Sequence, residues 1–155
     1  MPISKIESAG LGVGTVLQVV QTTSTTLAST NSNSLVDSGI SASITPKFAT
    51  SKILVCLSIP TRKNLVNGIN MALYRGGSSI TGIVYGGGYN GGTSTVNSVG
   101  YSLNYLDSPA TTSSTTYKIY FCCTSGGGGG GSNCSINPDG GSNDITTITL
   151  LEIAQ

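Results

Sequence analysis

Residues 105–118 read YLDSPATTSSTTYK and set seven serine and threonine hydroxyls between two tyrosines. A serine in such a run becomes a nucleophile only when a neighbouring base takes its proton, and histidine is the usual base. The chain has no histidine, which removes the Ser-His-Asp arrangement. A serine–lysine pair is the other route, but no S-x-x-K spacing falls within the strand-forming region. Glycoside hydrolysis needs two carboxylates facing one another. The six acids, Glu7, Asp37, Asp107, Asp139, Asp144 and Glu152, are scattered and read mostly as turn or strand-end residues. Pro138-Asp139-Gly140-Gly141 has turn composition, and acids this sparse make a poor calcium loop. The expectation is a protein that is not an enzyme and that uses no cofactor and no metal.

Four cysteines, Cys56, Cys122, Cys123 and Cys134, carry the remaining candidate chemistry. Adjacent Cys122 and Cys123 point to opposite faces if they lie in a strand, so they do not easily serve one metal. Cysteine most often sits in a fold as a small buried hydrophobe, and that is the ordinary reading for all four. The alternatives are a metal, or a disulfide from Cys122 or Cys123 to Cys134. Such a bridge would close the segment that holds six consecutive glycines, residues 126–131.

The elements that hold these residues are strands. Residues 15–22 are rich in β-branched types, and 34–45 alternate apolar with small polar residues around Gly39 until Pro46. Residues 52–59 are almost continuously apolar, as in a strand buried on both faces, and should stop at Pro60. Residues 70–75 and 79–84 flank Gly76-Gly77, a two-residue hairpin turn. Residues 99–107, 116–122 and 144–153 complete the set, and no helical period is sustained. About eight to ten short strands with turn residues between them predict an all-β fold, an antiparallel β-sandwich of jelly-roll type. The hydroxyl-rich stretch then joins two strands, with Asp107, Ser108 and Pro109 supplying the turn. The glycine-rich segments 86–92 and 126–131 read as loops. Neither is followed by the Lys-Ser/Thr or the helix of a phosphate loop.

Charge narrows the partners. Charged residues make up 8% of 155, against about 25% in ordinary soluble domains, while 23 serines and 20 threonines solubilise the surface. The net charge is +1 and the basic residues are dispersed, so no stripe exists to displace phosphate counterions, and nucleic acid is not an expected partner. A mean hydropathy of +0.17 with 37% hydrophobic residues is too apolar for a disordered chain. No apolar run is long enough for membrane insertion by a helix. The opening MPISKIESAGLG lacks the apolar core of a signal peptide, which predicts synthesis in a cytosol without standard secretion. Residues 1–13 differ from the rest, with Ile3, Ile6, Leu11 and Val13 separated by polar residues. They read as an N-terminal docking arm that precedes a domain spanning 14–155.

Four blocks, taken together, resemble a known module. They are Gly14-Thr15-Val16-Leu17-Gln18-Val19-Val20-Gln21, Ser51-Lys52-Ile53-Leu54-Val55, Tyr105-Leu106-Asp107-Ser108-Pro109 leading to Thr116-Tyr117-Lys118, and Ile148-Thr149-Leu150-Leu151-Glu152-Ile153. Their order and spacing are similar to the C-terminal knob domains of fibres and related virion proteins of tailed bacteriophages. The resemblance implies a homotrimeric jelly-roll-like sandwich displayed on a virion. Fibre knobs follow a long shaft, whereas only about a dozen residues precede the knob here. That departure points to a small capsid decoration protein that docks on other virion proteins through its arm. The alternative is a host-adsorption fibre protein that binds a receptor or surface glycan, with Tyr85, Tyr89 and Asn90 as its candidate contact loop.

Overall fold

A computed structural model describes residues 12–64, 68–89, 96–124, 133–141 and 143–155, all in strands, turns and connections. The strands are β1 (Val16–Ser24), β2 (Ala28–Thr30), β3 (Val36–Ile44), β4 (Lys52–Lys63), β5 (Ile69–Arg75), β6 (Ser78–Gly87), β7 (Asn97–Asp107), β8 (Thr115–Cys123), β9 (Cys134–Ile136) and β10 (Thr146–Ile153). Eight long strands form two antiparallel sheets ordered β1-β10-β4-β7 and β3-β8-β5-β6. Apart from the β5–β6 hairpin, each of these strands is followed by one in the opposite sheet. This is the double Greek-key pattern of a jelly roll. The short β2 and β9 pair with each other and extend the first sheet beyond β10.

Alternation builds the core. Ile53, Val55, Leu57 and Ile59 of β4 point inward with Ile148 and Leu150 of β10. They meet Ile40 and Ile44 of β3, Met71 and Leu73 of β5, and Tyr117, Ile119 and Phe121 of β8 in a single cluster. Burying each such side chain stabilises the fold by about 1.5–3 kcal/mol before entropy is counted. Gly76 adopts φ of 59° in the expected hairpin turn, and Gly39 at 76° marks a bulge in the β3–β8 ladder between Asp37 and Ser41.

Two expectations about β4 need correction. The strand does not stop at Pro60 but runs on to Lys63. β10 pairs with β4 only as far as Ser58, and β9 begins pairing at Thr61, so Pro60 falls in the gap between two partners. Its carbonyl faces that gap and accepts from Asn137 N at 3.1 Å, so a backbone N–H there would have met no ladder partner. Nor is β4 buried on both faces. Its outward residues Leu54 and Cys56 are half-buried and Ser58 is exposed.

Candidate functional site

The blocks with the most distinctive residues form clasps that lock the sandwich. Asp107, at the end of β7, is buried at the end of the sandwich where β5 and β8 also meet. Arg75 Nη1 donates to both of its carboxylate oxygens, at 2.8 and 2.7 Å, and Tyr117 Oη donates to Oδ2 at 2.7 Å. One carboxylate thus ties the first sheet to two strands of the second. Burial, and after it the hydrogen bond to Asp107, pushes the Tyr117 phenol far above its ordinary range. The connection from β7 to β8 crosses between sheets, and its hydroxyls bond local backbone, as in Ser113 N to Thr111 Oγ1 at 3.0 Å and Thr115 Oγ1 to Ser113 O at 3.2 Å.

Glu152, level with Asp107 across β4, ties β10 to β1 and to the turn after β3. It is fully buried on β10 and accepts from Gln18 Nε2 at 2.6 Å and from the backbone N–H groups of Lys47 and Phe48 at 2.7 and 3.3 Å. The turn after Pro46 is therefore fixed by a carboxylate from the last strand. Asn137, also without exposure, donates to Ser24 O and Thr26 O, both at 3.0 Å, and accepts from Thr146 Oγ1 at 2.8 Å. The turn read from the sequence, Pro138-Asp139-Gly140-Gly141, begins one residue after it, and nothing in the local sequence marked Asn137 itself. Asp37 pairs with Lys118 at 2.8 Å, and Asp139 pairs with Arg62 while its backbone N–H donates to Asp144 Oδ2. Among the described residues no three His, Cys, Asp or Glu side chains group as metal ligands would.

The ordinary reading of the cysteines as buried hydrophobes holds for Cys122, while Cys56 is half-buried and the other two are bridged. Cys123 at the end of β8 and Cys134 in β9 form a disulfide with Cα atoms 5.6 Å apart, joining the two sheets. Cys122 and Cys56 are free. The sequence offered this bridge as an alternative, from Cys122 or Cys123 to Cys134, without deciding which of the adjacent pair would take part.

Tyr85 and Tyr89 occupy different settings, and Asn90 lies outside the described residues. Tyr85 is 89% exposed on β6 and lines a shallow depression of about 490 Å³ with Leu35, Asn70, Ala72 and Gly82. Asn70 Oδ1 accepts from Gly86 N at 2.7 Å, which fixes β6 to β5 beside that ring. Tyr89 ends the turn after β6, donating its N–H to Gly86 O, and does not line the depression. Of the other tyrosines, Tyr101 and Tyr105 pack on the core, while Tyr74 and Tyr120 stack with ring centroids 3.9 Å apart.

In the arm, Ile3, Ile6 and Leu11 lie outside the described residues. Val13 is 81% exposed in a turn closed by Thr15 N donating to Gly12 O. Gly14 N donates to Ala154 O at 2.9 Å, so the arm leaves the sandwich beside the end of β10.

No protein-family profile matches the chain, and no curated protein matches it. Solved structures do share its fold. The VP2 subviral particle of infectious bursal disease virus aligns over 99% of this chain with a TM-score of 0.50 and 12% identity. The Gx strain of the same virus aligns over 88% with a TM-score of 0.46 and 12% identity. The chain spans less than half of either structure, 43% and 40% of their lengths. The architecture is therefore a β-sandwich like that of a viral particle protein.

Proposed function

We propose that this chain is a structural component of a virus particle, a small surface-displayed knob held by its N-terminal arm. The observation that carries the reading is the likeness in fold to a particle-forming viral protein over 99% of the chain. The arrangement of polar groups supports it. Asp107, Glu152 and Asn137 are committed to hydrogen bonds that hold the fold, which suits a durable shell component. A tailed bacteriophage as the source and a homotrimer as the assembly are supported by the resemblance of the four sequence blocks alone. Removal of residues 1–13 is the test. The shortened chain is expected to stay folded with unchanged subunit number and to lose binding to particles. Coating of particles by the shortened chain as well as by the intact one overturns the arm's role.

A second reading, host adsorption, is favoured by one observation. A nearly fully exposed tyrosine beside a shallow depression, Tyr85, is the kind of surface on which a sugar ring stacks. Binding of the intact protein to host-surface polysaccharide, lost in Tyr85→Ala, supports it. Absence of measurable binding leaves particle structure as the function.

A further inference from the structure

The outer face of the β1-β10-β4-β7 sheet carries four apolar side chains in one register row. Val19 pairs with Leu151, Leu151 with Leu54, and Leu54 with Leu106. The two ends of the row, Val19 and Leu106, are 56% and 50% exposed. The neighbouring row adds Val16 and Ile153, with Lys52 at its margin. The next two rows, Gln21-Thr149-Cys56-Asn104 and Thr23-Thr147-Ser58-Ser102, carry no charge. No described element packs over this face, although β4 has the unbroken apolar sequence of a strand covered on both sides.

We infer that this face is the surface on which a second copy of the chain docks. The inference deepens the proposed assembly and rests on it for the number of copies alone. Four strands about 4.8 Å apart and about eight residues of about 3.3 Å each make a patch on the order of 500 Å² before side-chain relief. About half of that patch is apolar and the rest neutral polar, together a part of the roughly 800 Å² that a standard interface takes from each partner. Charge selects the occupant. The apolar rows meet a second copy without like-charge repulsion, whereas a partner recognised by ion pairs would find Lys52 at one margin and, beyond Ser58, the Arg62–Asp139 pair at the other. The opposite sheet carries its ion pair, Asp37–Lys118, on the inner strand β8 and its neighbour β3, whereas Arg62–Asp139 lies beyond the apolar rows of the first.

The test is the mass of the purified full-length chain by sedimentation equilibrium, with no particle present. The chain is expected to self-associate, and Val19→Lys with Leu106→Lys should shift the midpoint concentration at least about a hundredfold, toward monomer. Both positions are already half in water, so circular dichroism should report an unchanged sandwich. Should that pair fail to fold, Leu106→Lys alone gives the same reading with a smaller shift. Ser79→Lys, on an exposed strand of the other sheet, should leave association unchanged. A monomeric wild-type chain, or an unchanged midpoint in the folded face variants, overturns the inference. So does loss of association on substituting Ile3, Ile6 and Leu11 by serine while the face variants still associate, since that assigns the contact to the arm. Particle binding does not enter this measurement, so its outcome stands apart from that of the virion reading.

Discussion

Asp107 accepts hydrogen bonds from Arg75 and Tyr117 while almost excluded from water. Removing it leaves a guanidinium and a buried phenol without their acceptor, so Asp107→Ala should destabilise the fold by roughly 2–4 kcal/mol. Urea unfolding checks this, and an unchanged midpoint contradicts the clasp. The same site gives the chain a pH dependence. Tyr117 keeps its proton in the fold well above its ordinary value of 10.0, because burial and then Asp107 oppose the phenolate. The unfolded chain gives that proton up near pH 10, so it binds fewer protons than the native state and stability falls as pH rises past 10. Below that pH the contribution is fully present. Tyr117→Phe should flatten the fall measured by unfolding between about pH 9 and pH 11. An identical slope in the variant assigns it elsewhere.

Strand positions were readable because side-chain alternation and turn residues act locally. β5 and the Gly76-Gly77 turn lie where the pattern put them, and β3, β7, β8 and β10 differ by a few residues at their ends; β6 runs on to Gly87, into the segment read as a glycine loop. β2 and β9 escaped, since three residues cannot display a period, and they exist only by pairing with each other and β4. Pro60 misled because proline is barred by a missing N–H only where a partner waits, and on the side facing β10 and β9 the strand has none at that point, although β7 pairs on the other side. The clasps were harder still. Gln18, Glu152 and the Lys47-Phe48 backbone come from three distant segments, and no local signal reports a meeting 105 residues apart. The disulfide belongs to this scale as well. Its cysteines are 11 residues apart, and closing that loop should stabilise the fold by about 3 kcal/mol. A drop in urea midpoint on reduction, reproduced by Cys134→Ser, is the expected result, and equal midpoints contradict it.

At the scale of the molecule, eight strands in jelly-roll order give a rigid sandwich with two outer faces of different character. One carries an apolar row, with Lys52 and the Arg62–Asp139 pair outside it, and is suited by that row to another copy. The other carries an ion pair, stacked tyrosines and the depression beside Tyr85. A knob assembled through the first face would keep the second turned outward, where a particle meets its surroundings. Gly14 is bonded to Ala154 near the Val16–Ile153 edge of the apolar face. The most direct measurement is to purify the virus particles that encode this chain, identify their proteins by mass spectrometry, and image the particles. The account predicts the chain in stoichiometric amount, with sandwich-shaped density at the particle surface. Its absence from purified particles that come from cells making the protein contradicts the account.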